Sequence, residues 1–174
     1  QDPQLRWKIQ SEAMEAAKTV IKEVNEEYGK WFGRKYGNGL VDEYRCEDVD
    51  AAVVAMGTIA STARTAIDRL QQDGKRVGLV KLKSFNPFPS EEFRRIGEGL
   101  GAIGVIDRNI SCGTGGMVYN DVRSSLYDLD EKPRTLEFYA GLCGKEVTVK
   151  DIERIAEKIL RAAKGEKVAQ VEWV

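Results

Sequence analysis

The chain has 174 residues, 42% of them hydrophobic and 32% charged, which is enough apolar content to bury a real core. Lys and Arg number 27 against 28 Asp and Glu, so the net charge of -1 excludes the basic excess of a nucleic-acid binder or an anionic-membrane binder. The absence of histidine removes the commonest general base and metal ligand, and the three scattered cysteines, Cys46, Cys112 and Cys143, cannot build a four-cysteine zinc or iron–sulfur site. Sparse, unpaired cysteines fit the reduced thiols of a cytoplasmic protein.

No apolar run reaches the ~18 residues of a membrane span, and no signal peptide is visible. The chain opens on Gln1-Asp2-Pro3 without an initiator Met, which suggests a segment of something longer. Residues 5–32 read as a long amphipathic helix, with Met14, Ala17, Ile21, Val24, Tyr28 and Phe32 spaced by three and four. Such a stripe wants one partner surface. Gly33, Gly37 and Gly39 end it, so residues 33–40 are a loop. Residues 41–46 form a weak strand candidate. "AAVVAMG" (51–57) is a buried strand closed by glycine, followed by helical spacing at Ala63, Ala66, Ile67 and Leu70. "RVGLVKLKSF" (76–85) is the next strand, broken by Asn86-Pro87-Phe88-Pro89. Ser90 is the expected N-cap of a helix with Glu91 and Glu92 in its first turn and Phe93, Ile96 and Leu100 inside. "GAIGVID" (101–107) is a third buried strand, Val118, Val122 and Leu126 mark a helix, and "RTLEFYA" (134–140) alternates as a strand. Thr148 with Asp151 starts a last helix whose stripe includes Ile152, Ile155, Ile159 and Leu160. The order β-α-β-α-β-α-β-α from residue 51 predicts an α/β fold with a parallel sheet and helices on both faces. The chain divides into a helical arm and loop (1–40), an α/β domain (41–164) and an apolar tail (165–174).

In such sheets, ligands sit at the carboxyl ends of strands, and "VIDRNISCGTGGMVYND" (105–121) is such a place. Glycine there has two uses: to turn the chain close against the strand, or to bring a helix N-terminus onto an anion. Asp107, Arg108, Asn109, Gly113, Gly115 and Gly116 are therefore the candidates for an anion site or an interface. The pattern completes neither a dinucleotide fingerprint, since Val118 stands where the last glycine belongs, nor a Walker loop. Cys112, near the helix start, reads as an ordinary thiol.

Three motifs in order, "AMGTIASTARTAIDRLQQDGKRVGLVKLKSFNPFP", "GVIDRNISCGTGG" and "FYAGLCGKEVTVKDI", resemble the C-terminal half of the alpha subunit of 2-oxoacid:ferredoxin oxidoreductases, with the pyruvate-specific enzymes (pyruvate synthases) most alike. "FGRKYG" (32–37) fits the same subunit, so the likeness covers roughly residues 10–163. Residue by residue, Pro87, Pro89, Asp107, Arg108, Gly115 and Gly116 match; Cys143 and Lys145 depart, standing where the family usually has glycine and arginine. That departure speaks against close ligand contact by the 141–145 loop. The resemblance implies a transketolase C-terminal-like three-layer α/β/α sandwich, mostly parallel with one antiparallel strand, which 41–46 would supply.

It also implies a cytoplasmic, anaerobic enzyme that oxidatively decarboxylates a 2-oxoacid to acyl-coenzyme A and reduces ferredoxin, using thiamine diphosphate, Mg²⁺ and iron–sulfur clusters. This segment carries neither the thiamine Gly-Asp-Gly motif nor the cluster cysteines, so no catalytic residue, metal ligand or cofactor is expected on it. The function expected is a structural and assembly domain, alone inactive, whose partners are the other domains and subunits and, through the complex, ferredoxin, with no nucleic acid and no membrane. Pyruvate is the expected acid and 2-oxoisovalerate the alternative. A free-standing module binding an anion or nucleotide phosphate at 113–116, or an oligomerisation module built on the first helix, are the other readings.

Overall fold

The computed structural model describes residues 2–174. A six-stranded sheet has the order β1-β3-β2-β4-β5-β6. Strand β1 (Val41–Tyr44) runs antiparallel to β3 (Val77–Leu82). Parallel pairs join β3 to β2 (Ala51–Met56), β2 to β4 (Ala102–Asp107) and β4 to β5 (Arg134–Tyr139). The expected antiparallel strand is thus the one at the edge.

Strand alternation splits the core between the two faces of the sheet. Val53, Leu79 and Phe138 face α2 (Gly57–Gln72) and α5 (Val149–Ala163), meeting Ala63, Ile67, Ile155 and Ile159. Val54, Val80 and Val105 face α3 (Ser90–Gly97) and α4 (Met117–Ser125), meeting Phe93, Val118 and Val122. Strands β2, β3 and β4 are buried on both sides, which is why they read as continuous apolar runs. Thr148 and Asp151 form the predicted capping box of α5, each side chain taking the other residue's backbone N–H.

Four expectations need correction. Ser90 is not an N-cap: Pro89 holds that position, and Ser90 is the first helical residue. Helix α3 ends at Gly97, so Leu100 packs on the core from the connection to β4. The tail, read without secondary structure, contains a short strand. Val171–Trp173 form β6, parallel to β5, with Val174 N–H donating to the Tyr139 carbonyl at 2.9 Å and Trp173 4.6 Å from the Tyr139 ring. The first helix, α1 (Pro3–Phe32), turns a different face inward from the one expected. Met14, Ala17 and Ile21 are half-buried, but Val24, Tyr28 and Phe32 are exposed. Polar anchors set that rotation. Lys22 Nζ sits 2.5 Å from the buried Glu92, Lys18 3.3 Å from Glu91, and Asn25 donates to the Gly37 carbonyl at 3.1 Å. No described helix is long and apolar enough to cross a membrane.

Candidate functional site

Strand β2 leads through α2 to β3 on one side, and β4 lies on its other side. The sheet therefore reverses direction between the carboxyl ends of β2 and β4, the usual position of a ligand crevice. Both strands end in a turn to a helix, and the two turns are built differently.

After β4 the chain closes on itself. Ser111 N–H donates to Gly115 O at 2.9 Å, and Thr114 N–H to Ser111 O at 2.9 Å. Gly113, with φ 93°, takes the turn position that needs positive φ. The chain then reaches the first turn of α4, whose backbone N–H groups have no partner within the helix. Two buried carboxylates on neighbouring strands take them. Gly116 N–H donates to Glu137 Oε1 at 2.5 Å, Val118 N–H to Asp107 Oδ1 at 3.2 Å and Tyr119 N–H to Asp107 Oδ2 at 2.9 Å. The glycines admit these carboxylates: a Cβ on Gly116 would stand 2.2 Å from Asp107 Oδ2, and one on Gly115 3.0 Å from Glu137 Oε1. Burial pushes the Asp107 carboxyl up from the ordinary value, against the two N–H donors that lower it, and the Glu137 charge pushes the same way. Burial, then the hydrogen bond to Glu137, push the Tyr139 hydroxyl up to about 12. The Gly116, Val118 and Tyr119 donors of this turn are thus engaged, and the groups in front of them are carboxylates, whose charge opposes an incoming anion.

After β2 the turn stays open. Helix α2 starts at Gly57 with no capping bond from Met56, and no described side chain accepts from its first turn. Arg108 follows Asp107 in sequence, and strand alternation sends it to this opposite face. Its Nη1 lies 3.4 Å from Thr58 Oγ1. A cleft of about 380 Å³ lies here, lined by Thr58, Thr62, Arg108, Lys145 and Glu146 among others. Gly141, at φ 75°, makes room for Arg108: a Cβ there would be 3.1 Å from Arg108 Nε. Cys143 adopts φ 53° despite its side chain and is exposed. Beyond it, Gly144 and Lys145 of the same loop line the cleft.

The six candidates therefore separate. Asp107, Gly113, Gly115 and Gly116 belong to the closed turn, while Arg108 and Asn109 are exposed beyond it. Sequence reasoning missed Glu137, which sits in an ordinary strand alternation; its signal was an acid inside an otherwise apolar strand. It also missed Thr58 and Lys145, which only the sheet order brings to Arg108.

Residues 49–152 match the family model described as pyruvate:ferredoxin oxidoreductase core domain II. Over 152 residues the chain is 39% identical to pyruvate synthase subunit PorA of Methanocaldococcus jannaschii, covering 87% of this chain and 38% of that subunit. Over 171 residues it is 36% identical to ketoisovalerate oxidoreductase subunit VorA of Pyrococcus horikoshii, covering 98% of this chain and 43% of that subunit. It thus spans about two fifths of the length of these curated relatives. Among solved structures, a split-gene transketolase described as an inactive beta4 tetramer superposes with TM-score 0.55 at 20% identity, covering 67% of this chain and 40% of that one. The 2-oxoglutarate:ferredoxin oxidoreductase of Magnetococcus marinus, solved with 2-oxoglutarate, coenzyme A and succinyl-CoA bound, gives 0.52 at 15% identity over 77% of this chain and 21% of that one. Both likenesses are of fold, and they agree with the transketolase C-terminal-like architecture.

Proposed function

Because the chain belongs to the pyruvate:ferredoxin oxidoreductase core domain II family, we propose that it is a non-catalytic assembly domain of a multi-subunit, cytoplasmic 2-oxoacid:ferredoxin oxidoreductase that converts pyruvate to acyl-coenzyme A. In this reading thiamine diphosphate, Mg²⁺, the iron–sulfur clusters and coenzyme A are held by other domains and subunits, and ferredoxin is reached through them. The kinship with VorA over 98% of the chain favours 2-oxoisovalerate as the second substrate reading.

The observation that carries the proposal is the closed α4 turn. At the carboxyl edge of the sheet, the helix start that would meet a cofactor phosphate is occupied by Asp107 and Glu137. What remains for partners is surface. Arg108 and Asn109, with Lys145, form one polar contact beside the cleft, and the outer face of α1, with Val20, Val24, Tyr28 and Trp31 exposed, forms another. Residues 1–40 then act as a docking arm on the α/β body of 41–164. Covering such an apolar face is a common reason for a soluble subunit to keep it.

Isothermal titration of the 174-residue chain with thiamine diphosphate and Mg²⁺ tests the reading. No heat of binding is expected, while the chain co-purifies with a thiamine-binding and an iron–sulfur subunit. Micromolar cofactor binding to the chain alone would sink it. Phosphate at about 10 mM is expected to leave the melting temperature unmoved, and a rise would restore the anion reading at 113–116.

A further inference from the structure

A second feature lies at the opposite end of the sheet, at the start of β5. There an open groove of about 490 Å³ is walled by Arg123, Lys132, Arg134 and Lys167, with Thr135 and Val168 between them and no acidic residue in its lining. In a chain of net charge -1 this is a local excess of positive charge. Arg123 and Lys167 have no ion-pair partner among the described residues, and Lys132 meets only the Tyr127 ring, 5.4 Å from its centroid. The Arg134 guanidinium is held in place by the carbonyls of Ala162 and Glu166, which orient it without neutralising it.

The groove exists because β6 is too short. Strand β5 has six residues, and β6 pairs only with Glu137, Phe138 and Tyr139. The ladder starts where Glu137 N–H donates to the Gln170 carbonyl at 2.8 Å. In a parallel ladder, alternate residues direct both N–H and C=O to the same edge. Thr135 therefore points its backbone groups the same way as Glu137, but beside it β6 has not yet begun. An open strand edge is a template for another chain, and cations on both sides set the sign of that chain's side chains.

We propose that this groove takes an extended acidic segment of a partner polypeptide, pairing its backbone with β5 at Thr135 and placing carboxylates against Arg123, Lys132 and Lys167. The strand edge selects a polypeptide over a small anion, which would use the cations alone. This site does not depend on which 2-oxoacid the enzyme uses, nor on the closed α4 turn.

Fluorescence anisotropy on the 174-residue chain tests it, with a labelled decapeptide of alternating Glu and Val at low salt. Binding is expected, weakened about tenfold or more when Gln replaces Glu and by a similar factor when alternate peptide nitrogens are methylated. The protein variant Lys132→Glu/Lys167→Glu is expected to lose about tenfold as well, with an unchanged circular dichroism melt, since both side chains are exposed. No binding by the acidic peptide overturns the proposal, and so does equal binding by the Gln or N-methylated peptides. Full displacement of the peptide by about 10 mM inorganic phosphate also overturns it, in favour of a small-anion site. The methylated peptide needs no protein variant, so the test stands even if the double substitution does not fold.

Discussion

Helices α2 and α4 both start beyond the carboxyl end of a parallel strand with a glycine at the junction, Gly57 as the first residue of α2 and Gly116 just before α4, and neither receives a bond from an N-cap side chain. The first turn of α4 is nevertheless closed by two buried carboxylates, and that of α2 opens on a cleft beside Arg108. What separates them is the acid supplied by neighbouring strands, not the glycine. Asp107 and Arg108 are consecutive, and the strand's alternation sends the carboxylate to one helix and the guanidinium to the other. One strand end thus completes one helix start and leaves a cation facing the next.

The sharpest way to break this contrast is Gly116→Ala. Its φ of -70° is available to any residue, so the substitution tests space alone. The added Cβ would stand 2.2 Å from Asp107 Oδ2 and push the carboxylate off its two donors. A loss of about 3 kcal/mol in urea unfolding is expected, from overpacking plus stranded N–H groups. A loss below ~1 kcal/mol, within the range of an ordinary surface change, would mean that the turn is not tightly closed.

A smaller effect is expected for Asp107→Asn, which is nearly isosteric with the protonated acid but turns an N–H donor towards one of the two amides. About 1 kcal/mol should be lost at low pH. Burial raises the folded-state pKa of Asp107, so its contribution to stability is present below the unfolded value of about 4 and is lost as pH rises through the raised value. The gap between native and variant should therefore narrow as pH rises above about 4 in unfolding titrations. A gap that widens would make the ionised carboxylate stabilising and the burial argument wrong.

The sheet was legible because β2, β3 and β4 are buried on both faces and α5 carries a full apolar stripe with its capping box. Asp107, Gly115 and Gly116 were legible as a group, because a strand-end acid before a glycine pair has few other uses. Glu137 was not. Its role depends on the β4–β5 register, which sets it beside Val105 and within reach of Gly116, and no local pattern encodes that pairing. Nor was the rotation of α1 legible. An apolar stripe predicts which face wants burial, but Lys18, Lys22 and Asn25 find partners on α3 and in the loop after α1, and those bonds fix the helix with Val24 and Tyr28 outward. The role of β6 escaped for a related reason: three residues are too few to show a period, and the strand is held by its pairing with Tyr139 and by the Lys158–Glu172 contact at 2.6 Å.

The smallest expected effect sharpens the comparison most directly, because the same change is made at both helix starts. Thr58→Asp places an acid in the open first turn of α2, where the helix dipole and Arg108 both favour it. A gain of about 0.5–1 kcal/mol is expected, or roughly 1–4 °C in melting temperature. Met117→Asp makes the corresponding change on α4, at a half-exposed side chain in the first turn. There the dipole is already met by Asp107 and Glu137, and the new charge is repelled by both, so no gain or a small loss is expected. Paired thermal melts read the difference in sign. If both variants gain equally, the carboxylates do not saturate the α4 turn, the two helix starts are electrostatically alike, and the closed turn no longer supports the proposal that cofactors are held by other domains.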